Sequence, residues 1–222
     1  MKVSGGTDQF KLSDLIVTGY SNDDGAWGEL KLTVLNSYGM ADTDDNGNKM
    51  NYYWFDNEES AAGWYDSDGL VKWDSENIIF EAGQAFWVQG EGLTVQGSGA
   101  VNFAPVTVET NAGGNTPIAN PYPVAITLAD ISVSGYSTDD GAWGELKMTV
   151  LNSYGMADTD ADGNKMNYYW FDNEETATGW YDSDGAVQWS ESTSFPAGQG
   201  FWIQGEGLIV EFSNPAAPTP AE

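Results

Sequence analysis

Hydrophobic and polar positions alternate along this chain in short runs, broken by Gly, Asn and Asp. In the run at residues 29–35, Leu30, Leu32 and Val34 fall on one face and Glu29, Lys31 and Thr33 on the other. That is the period of a strand with one buried face. Residues 145–151 repeat the pattern, and aromatic or β-branched runs at 50–55, 85–88, 93–95 and 106–108 predict further strands. No segment sustains a helical period. Many short strands separated by Gly-rich turns predict an all-β fold of the sandwich or related barrel kind.

The pattern is written twice. Residues 12–74 align without a gap on residues 128–190 at an offset of 116, and about 50 of the 63 positions are identical. After a one-residue deletion the match resumes, with Phe80, Phe86 and Trp87 answered by Phe195, Phe201 and Trp202. The expectation is two tandem homologous β-sandwich-like domains, at 1–105 and 106–213, followed by a Pro/Ala-rich tail at 214–222 in which proline removes donors and fixes the backbone. The copies differ at their leading edges. The second is preceded by strand-like residues 106–110 and 118–126, the first by residues 1–11 alone. If both share a fold, the first lacks at least one strand. Two explanations stand side by side: a chain cut inside a longer array, or an edge completed by a strand donated from elsewhere, which is one route to a filament.

Composition narrows the function classes. The 222 residues carry 34 Asp plus Glu against 7 Lys and no Arg, a formal net charge of -27. Such a surface has nothing to neutralise a run of phosphates or to hold an anionic membrane, and no apolar run is long enough to span a bilayer. Without Cys or His there are no disulfides, no zinc sites of the usual kinds and no Ser-His or Cys-His nucleophiles. Carboxylate, amide and aromatic chemistry remains. An acidic, Gly-rich and Trp-rich chain fits a calcium-bearing extracellular or cell-surface environment, and because residues 1–6 do not read as a signal peptide, export implies a leader outside this chain.

The sharpest local motif is Asp42-Thr43-Asp44-Asp45-Asn46-Gly47-Asn48, repeated as Asp158-Thr159-Asp160-Ala161-Asp162-Gly163-Asn164. Oxygens at positions 1, 3 and 5, a turn-permitting Gly at 6 and a carbonyl at 7 wrap one side of a calcium ion. This half-pattern resembles the calcium loops of EF-hand, dockerin and thrombospondin-type repeats. It departs from the EF-hand at position 12, where Tyr53 and Tyr169 replace the bidentate Glu, and no helices flank it. The candidate ligands are Asp42, Asp44, Asn46, Asn48, Asp158, Asp160, Asp162 and Asn164. Completing a site requires oxygens from another loop, Glu58 and Glu59 or Asp66 and Asp68, with Glu174, Glu175, Asp182 and Asp184 in the second copy. The competing reading is a hairpin turn whose Asp side chains cap local amides. Asn46 in place of Asp162 predicts weaker calcium binding in the first copy. A third acidic stretch, residues 21–27 and 137–143, reads as a turn followed by a packing Trp, with a second cation site as the functional alternative.

Aromatic residues are the other surplus. Tyr52, Trp54 and Trp64, with Tyr168, Trp170 and Trp180, are candidates for stacking on sugar rings; the alternative is packing between sheets, the preferred assignment for Trp87 and Trp202. Paired carboxylates could cleave glycosides, but no pair is set apart by its context. Asn120-Pro121-Tyr122-Pro123 together with residues 197–203 (AGQGFWI) resembles a β-rich repeat domain of large bacterial cell-surface and secreted proteins; the first copy carries only the second element, at residues 82–88. The resemblance implies a non-enzymatic role in attachment or assembly. The expected function is an extracellular structural or adhesive repeat stabilised by calcium, associating with itself in a filament or surface layer, with a carbohydrate-binding module for surface glycans as the alternative.

Overall fold

The computed structural model describes residues 10–21, 23–36, 38–80, 85–97, 104–137 and 139–215. The described residues form an all-β fold whose helical content is two single 3-10 turns, Leu12–Asp14 and Leu128–Asp130. The chain divides into two compact units, with Val101–Glu222 in one and Gly5–Asn36 and Met40–Ala100 in the other.

The unit built on the first copy contains β1 (Phe10–Lys11), β2 (Leu15–Thr18), β3 (Ala26–Leu35), β4 (Asn51–Asp56), β5 (Gly63–Tyr65), β6 (Ile79–Phe80), β7 (Ala85–Gln89) and β8 (Thr94–Gly97). Strands β5-β4-β3-β7 make one antiparallel sheet, and β2-β8 and β1-β6 make two ribbons. The unit built on the second copy contains β9 (Val106–Glu109), β10 (Thr116–Ala119), β11 (Ile126–Thr127), β12 (Ile131–Ser134), β13 (Ala142–Val150), β14 (Asn167–Asp172), β15 (Gly179–Tyr181), β16 (Ser194–Phe195), β17 (Gly200–Gln204) and β18 (Ile209–Phe212). Here the large sheet has five strands, β10-β17-β13-β14-β15, and the ribbon has become the three-stranded sheet β12-β18-β9.

The alternation read from the sequence sets the long strand. Leu30, Leu32 and Val34 are buried, as are Leu146, Met148 and Val150. In the second unit, side chains from both larger sheets enter one core, including Val108, Val133, Val210 and Phe212 from the three-stranded sheet and Ile118, Met148, Tyr168, Phe201 and Ile203 from the five-stranded sheet. Ring edges meet ring faces through it, as for Phe195 with Tyr168 and Phe201. Such T-shaped contacts add to the burial of apolar area.

Both long strands carry a bulge. The β3–β4 register shifts between Trp27 and Lys31, and the β13–β14 register between Trp143 and Lys147. Gly28 and Gly144 sit inside these bulges at φ 87°, a left-handed conformation that L side chains avoid. The bend also opens room on the outer face. A Cβ at Gly28 would stand 2.7 Å from Phe55 Cζ, and one at Gly144 would stand 2.8 Å from Phe171 Cζ. Phe55 and Phe171 are thereby buried on the outer side of the sheet, edge-on to Tyr65 and Tyr181.

Candidate functional site

The two acidic loops are closed hairpins. Asp44 Oδ1 accepts hydrogen bonds from the backbone amides of Asn46 and Asn48, both at 2.9 Å, and Asp44 Oδ2 accepts one from Asn48 Nδ2 at 3.2 Å. Asp160 does the same with Asp162 and Asn164. Gly47 and Gly163 take positive φ, and Thr43 bridges Lys49 as Thr159 bridges Lys165 across the hairpin necks. The carbonyls of Asn48 and Asn164 accept the amides of Asp44 and Asp160 within the loop. These bonds favour the ionised carboxylates: the Asn48 amide leads the causes that hold the Asp44 carboxyl below its ordinary value, and the Asn164 amide does so for Asp160. Asp42 and Asp158 each accept the following Thr amide at 2.9 Å.

The loops named as completing a site cap themselves in the same manner. Asp66 Oδ1 accepts the amides of Leu70 and Val71, and Asp182 Oδ1 those of Ala186 and Val187. Among the described residues no three acidic side chains converge as cation ligands.

Most of the aromatic residues named as candidates for stacking on sugar rings are packed inside instead. Tyr52, Trp64, Tyr168, Trp170 and Trp180 are buried, while Trp54 is half-buried. Trp54 and Trp64 meet edge to face, as do Trp170 and Trp180, so these rings present packing surfaces to one another. Trp87 and Trp202 are half-buried on their strands. The tryptophans offering faces to solvent are Trp27, Trp73, Trp143 and Trp189.

Trp143 follows the third acidic stretch. It was expected to pack behind a turn; the turn forms, but the ring remains 44% exposed. It lines a cleft of about 560 Å³ with Tyr136, Ser137, Asp139, Asp140, Gly141, Asp172, Asn173 and Glu174. The indole is held from both ends of its own segment, since Trp143 Nε1 donates to the Asp140 carbonyl at 2.6 Å and the Trp143 amide donates to Glu145 Oε2 at 2.7 Å.

No protein-family model, curated protein or solved structure matches this chain.

The cleft wall has a fixed polar triad. Tyr136 Oη donates to Asp172 Oδ2 at 2.5 Å and Thr178 Oγ1 donates to Asp172 Oδ1 at 2.6 Å. The Thr178 hydroxyl, followed by Tyr136, lowers the Asp172 pKa; burial, then the bond to Asp172, raises that of Tyr136. Asp172 is therefore ionised and Tyr136 neutral near pH 7, an acceptor and a hydroxyl beside an aromatic face. The first copy keeps Tyr20 and Asp56, bonded at 2.7 Å, but carries Ala62 where Thr178 stands. Sequence reasoning singled out residues 137–143 and Glu174 but passed over Tyr136, Asp172 and Asn173. What it lacked was the approach of the 139–143 segment to the end of β14, fixed by Asn173 Nδ2 donating to the Ala142 carbonyl at 2.9 Å.

Proposed function

We propose that this chain is an extracellular, non-catalytic structural or adhesive repeat protein whose acidic hairpin loops take up calcium. The observation that supports the reading is the uncompensated negative charge that the exposed acidic loops carry. Asp44, Asp66, Asp160 and Asp182 each close a hairpin by accepting their own loop's amides, a use of acidic side chains in building rigid turns. Only one ion pair, Lys11–Glu76 at 3.4 Å, occurs among the described residues. The charge of -27 is thus largely uncompensated within the chain. Calcium would supply the missing positive charge at the exposed loops, and its role would be to offset repulsion between carboxylates.

A thermal melt at fixed ionic strength, in calcium, in magnesium and in chelator, tests this. The expected result is a calcium-specific gain of stability, on the order of 2.7 kcal/mol at a hundredfold excess over Kd, removed by Asp160→Ala together with Asp44→Ala. Equal melts in all three solutions would take calcium out of the reading.

The Trp143 cleft favours a second reading, carbohydrate binding. A half-exposed indole beside Asp139, Asp140, Asp172, Asn173 and Glu174 combines a stacking face with hydroxyl acceptors. A glycan-induced shift in Trp fluorescence lost in Trp143→Ala would support it, and a shift unchanged in that variant would place the sugar elsewhere.

A further inference from the structure

Among the described residues the two units differ at two sheet edges: β17 is flanked by β13 and β10 where β7 pairs with β3 alone, and a second difference lies at β8. In the second unit β18 is flanked on both sides, by β12 and by β9, with Ile209 opposite Glu109, Val210 opposite Val108, Glu211 opposite Thr107 and Phe212 opposite Val106. Its counterpart β8 pairs with β2 alone, and among the described residues no strand lies along its outer edge. The inward-facing side chains show the difference. Val210 is 0% and Leu208 7% exposed, whereas Val95 and Leu93 are half-buried.

What would cover this edge is indicated by β8 itself. Residues 93–96 read Leu-Thr-Val-Gln, and β9, which covers the equivalent edge, reads Val-Thr-Val-Glu. Placing a second β8 where β9 lies, in the same antiparallel register, sets Val95 opposite the partner's Val95. Thr94 then falls opposite the partner's Gln96, and Gly97 opposite the partner's Leu93. This arrangement maps onto itself under a two-fold rotation, as an isologous pair must. Its chemistry also fits. Val95 meets Val95 as Val210 meets Val108, and Leu93 faces Gly97, which stands at the position of the buried Phe212. The edge from Thr94 to Gly97 carries no charge in a chain of -27, and Gln96 occupies the place of Glu211. Natural edges are usually blunted by charge or proline; this one has neither.

We propose that β8 is a self-association edge through which two copies of this chain join by antiparallel pairing centred on Val95. The inference goes beyond the function proposed above and is independent of calcium. Four residues per strand bury little area, so the dimer is weak and populated at high protein concentration.

Sedimentation velocity over a concentration series up to about 1 mM, in calcium and again in chelator, tests it. The full chain should pass from monomer to dimer in both solutions. Thr94→Lys with Gln96→Lys should weaken the dimer about tenfold, because each substituted Lys faces a like charge across the two-fold. The two substitutions lower the net charge magnitude, so general repulsion would push the result the other way. Val95→Cys, in a chain without cysteine, should give a disulfide-linked dimer under mild oxidation. A monomer at every concentration overturns the proposal, as does a dimer indifferent to the two Lys. A chain that stays monomeric yet binds a synthetic peptide of residues 104–110 would assign the edge to a different strand and overturn the second-copy occupant. Loss of the dimer only in chelator would tie assembly to the acidic loops and overturn the β8 contact.

Discussion

Asn120 is the buried polar joint of the second unit, and replacing it with Ala should be among the most damaging single changes there. The side chain is 4% exposed. Its Oδ1 accepts the Tyr122 amide at 3.0 Å; its Nδ2 donates to the carbonyls of Val124 at 2.8 Å, Pro196 at 3.1 Å and Phe195 at 3.3 Å. Two amide hydrogens serve three carbonyls, so the last two share one, and the joint amounts to three hydrogen bonds. At a net value of about 1 kcal/mol each, Asn120→Ala removes about 3 kcal/mol, and more where a stranded carbonyl stays dry. Tyr122→Phe is the graded companion. It keeps the ring but removes a hydroxyl that donates to the carbonyls of Phe212 at 2.5 Å and Ala104 at 3.1 Å, and should cost about 1–2 kcal/mol. Urea unfolding followed by Trp fluorescence measures both. A loss below about 1 kcal/mol for Asn120→Ala would refute the reasoning, since it would mean that water replaces the amide at no cost.

Glycine at the bulge and glycine in the acidic hairpin should respond differently to alanine. Gly144→Ala and Gly163→Ala both force a side chain into positive φ, but the new Cβ meets Phe171 at 2.8 Å in the first and nothing within 4 Å in the second. Urea melts should show roughly 1 kcal/mol for Gly163→Ala and a clearly larger loss for Gly144→Ala; equal losses would contradict the packing of Phe171 against the bulge. The acid limb of stability reports the capped carboxylates. Asp44 and Asp160 are held below the ordinary Asp value in the folded chain, chiefly by the Asn48 and Asn164 amides, so their contribution is present above the unfolded value and is lost as pH falls through the lower folded one. Asp44→Asn with Asp160→Asn should flatten the fall of Tm below about pH 4, and an unchanged Tm profile would show that these bonds do not persist in solution.

The sequence alone determined where the main strands run and which of their side chains share a face. The alternation of Leu30, Leu32 and Val34 fixed which face of β3 is buried, and the turn residues fixed where hairpins close, because both are local consequences of backbone geometry. The same locality made the Asp42 and Asp158 loops legible as tight turns. It left open whether their oxygens face a cation or their own amides, since both uses select Asp, Asn and Gly at the same spacing. The tertiary structure decided matters that depend on distant segments. Alternation put Tyr52 and Trp54 on one face of β4 and Tyr53 and Phe55 on the other, yet Phe55 is buried because the bulge at Gly28 lets the outer face close over it. Trp143 is exposed, and its cleft exists, because residues 139–143 lie against the end of β14. Only the folded sheets showed that, among the described residues, β8 pairs on one side where β18 pairs on both, because an edge is defined by what pairs beside it and a strand carries no local mark of its neighbour.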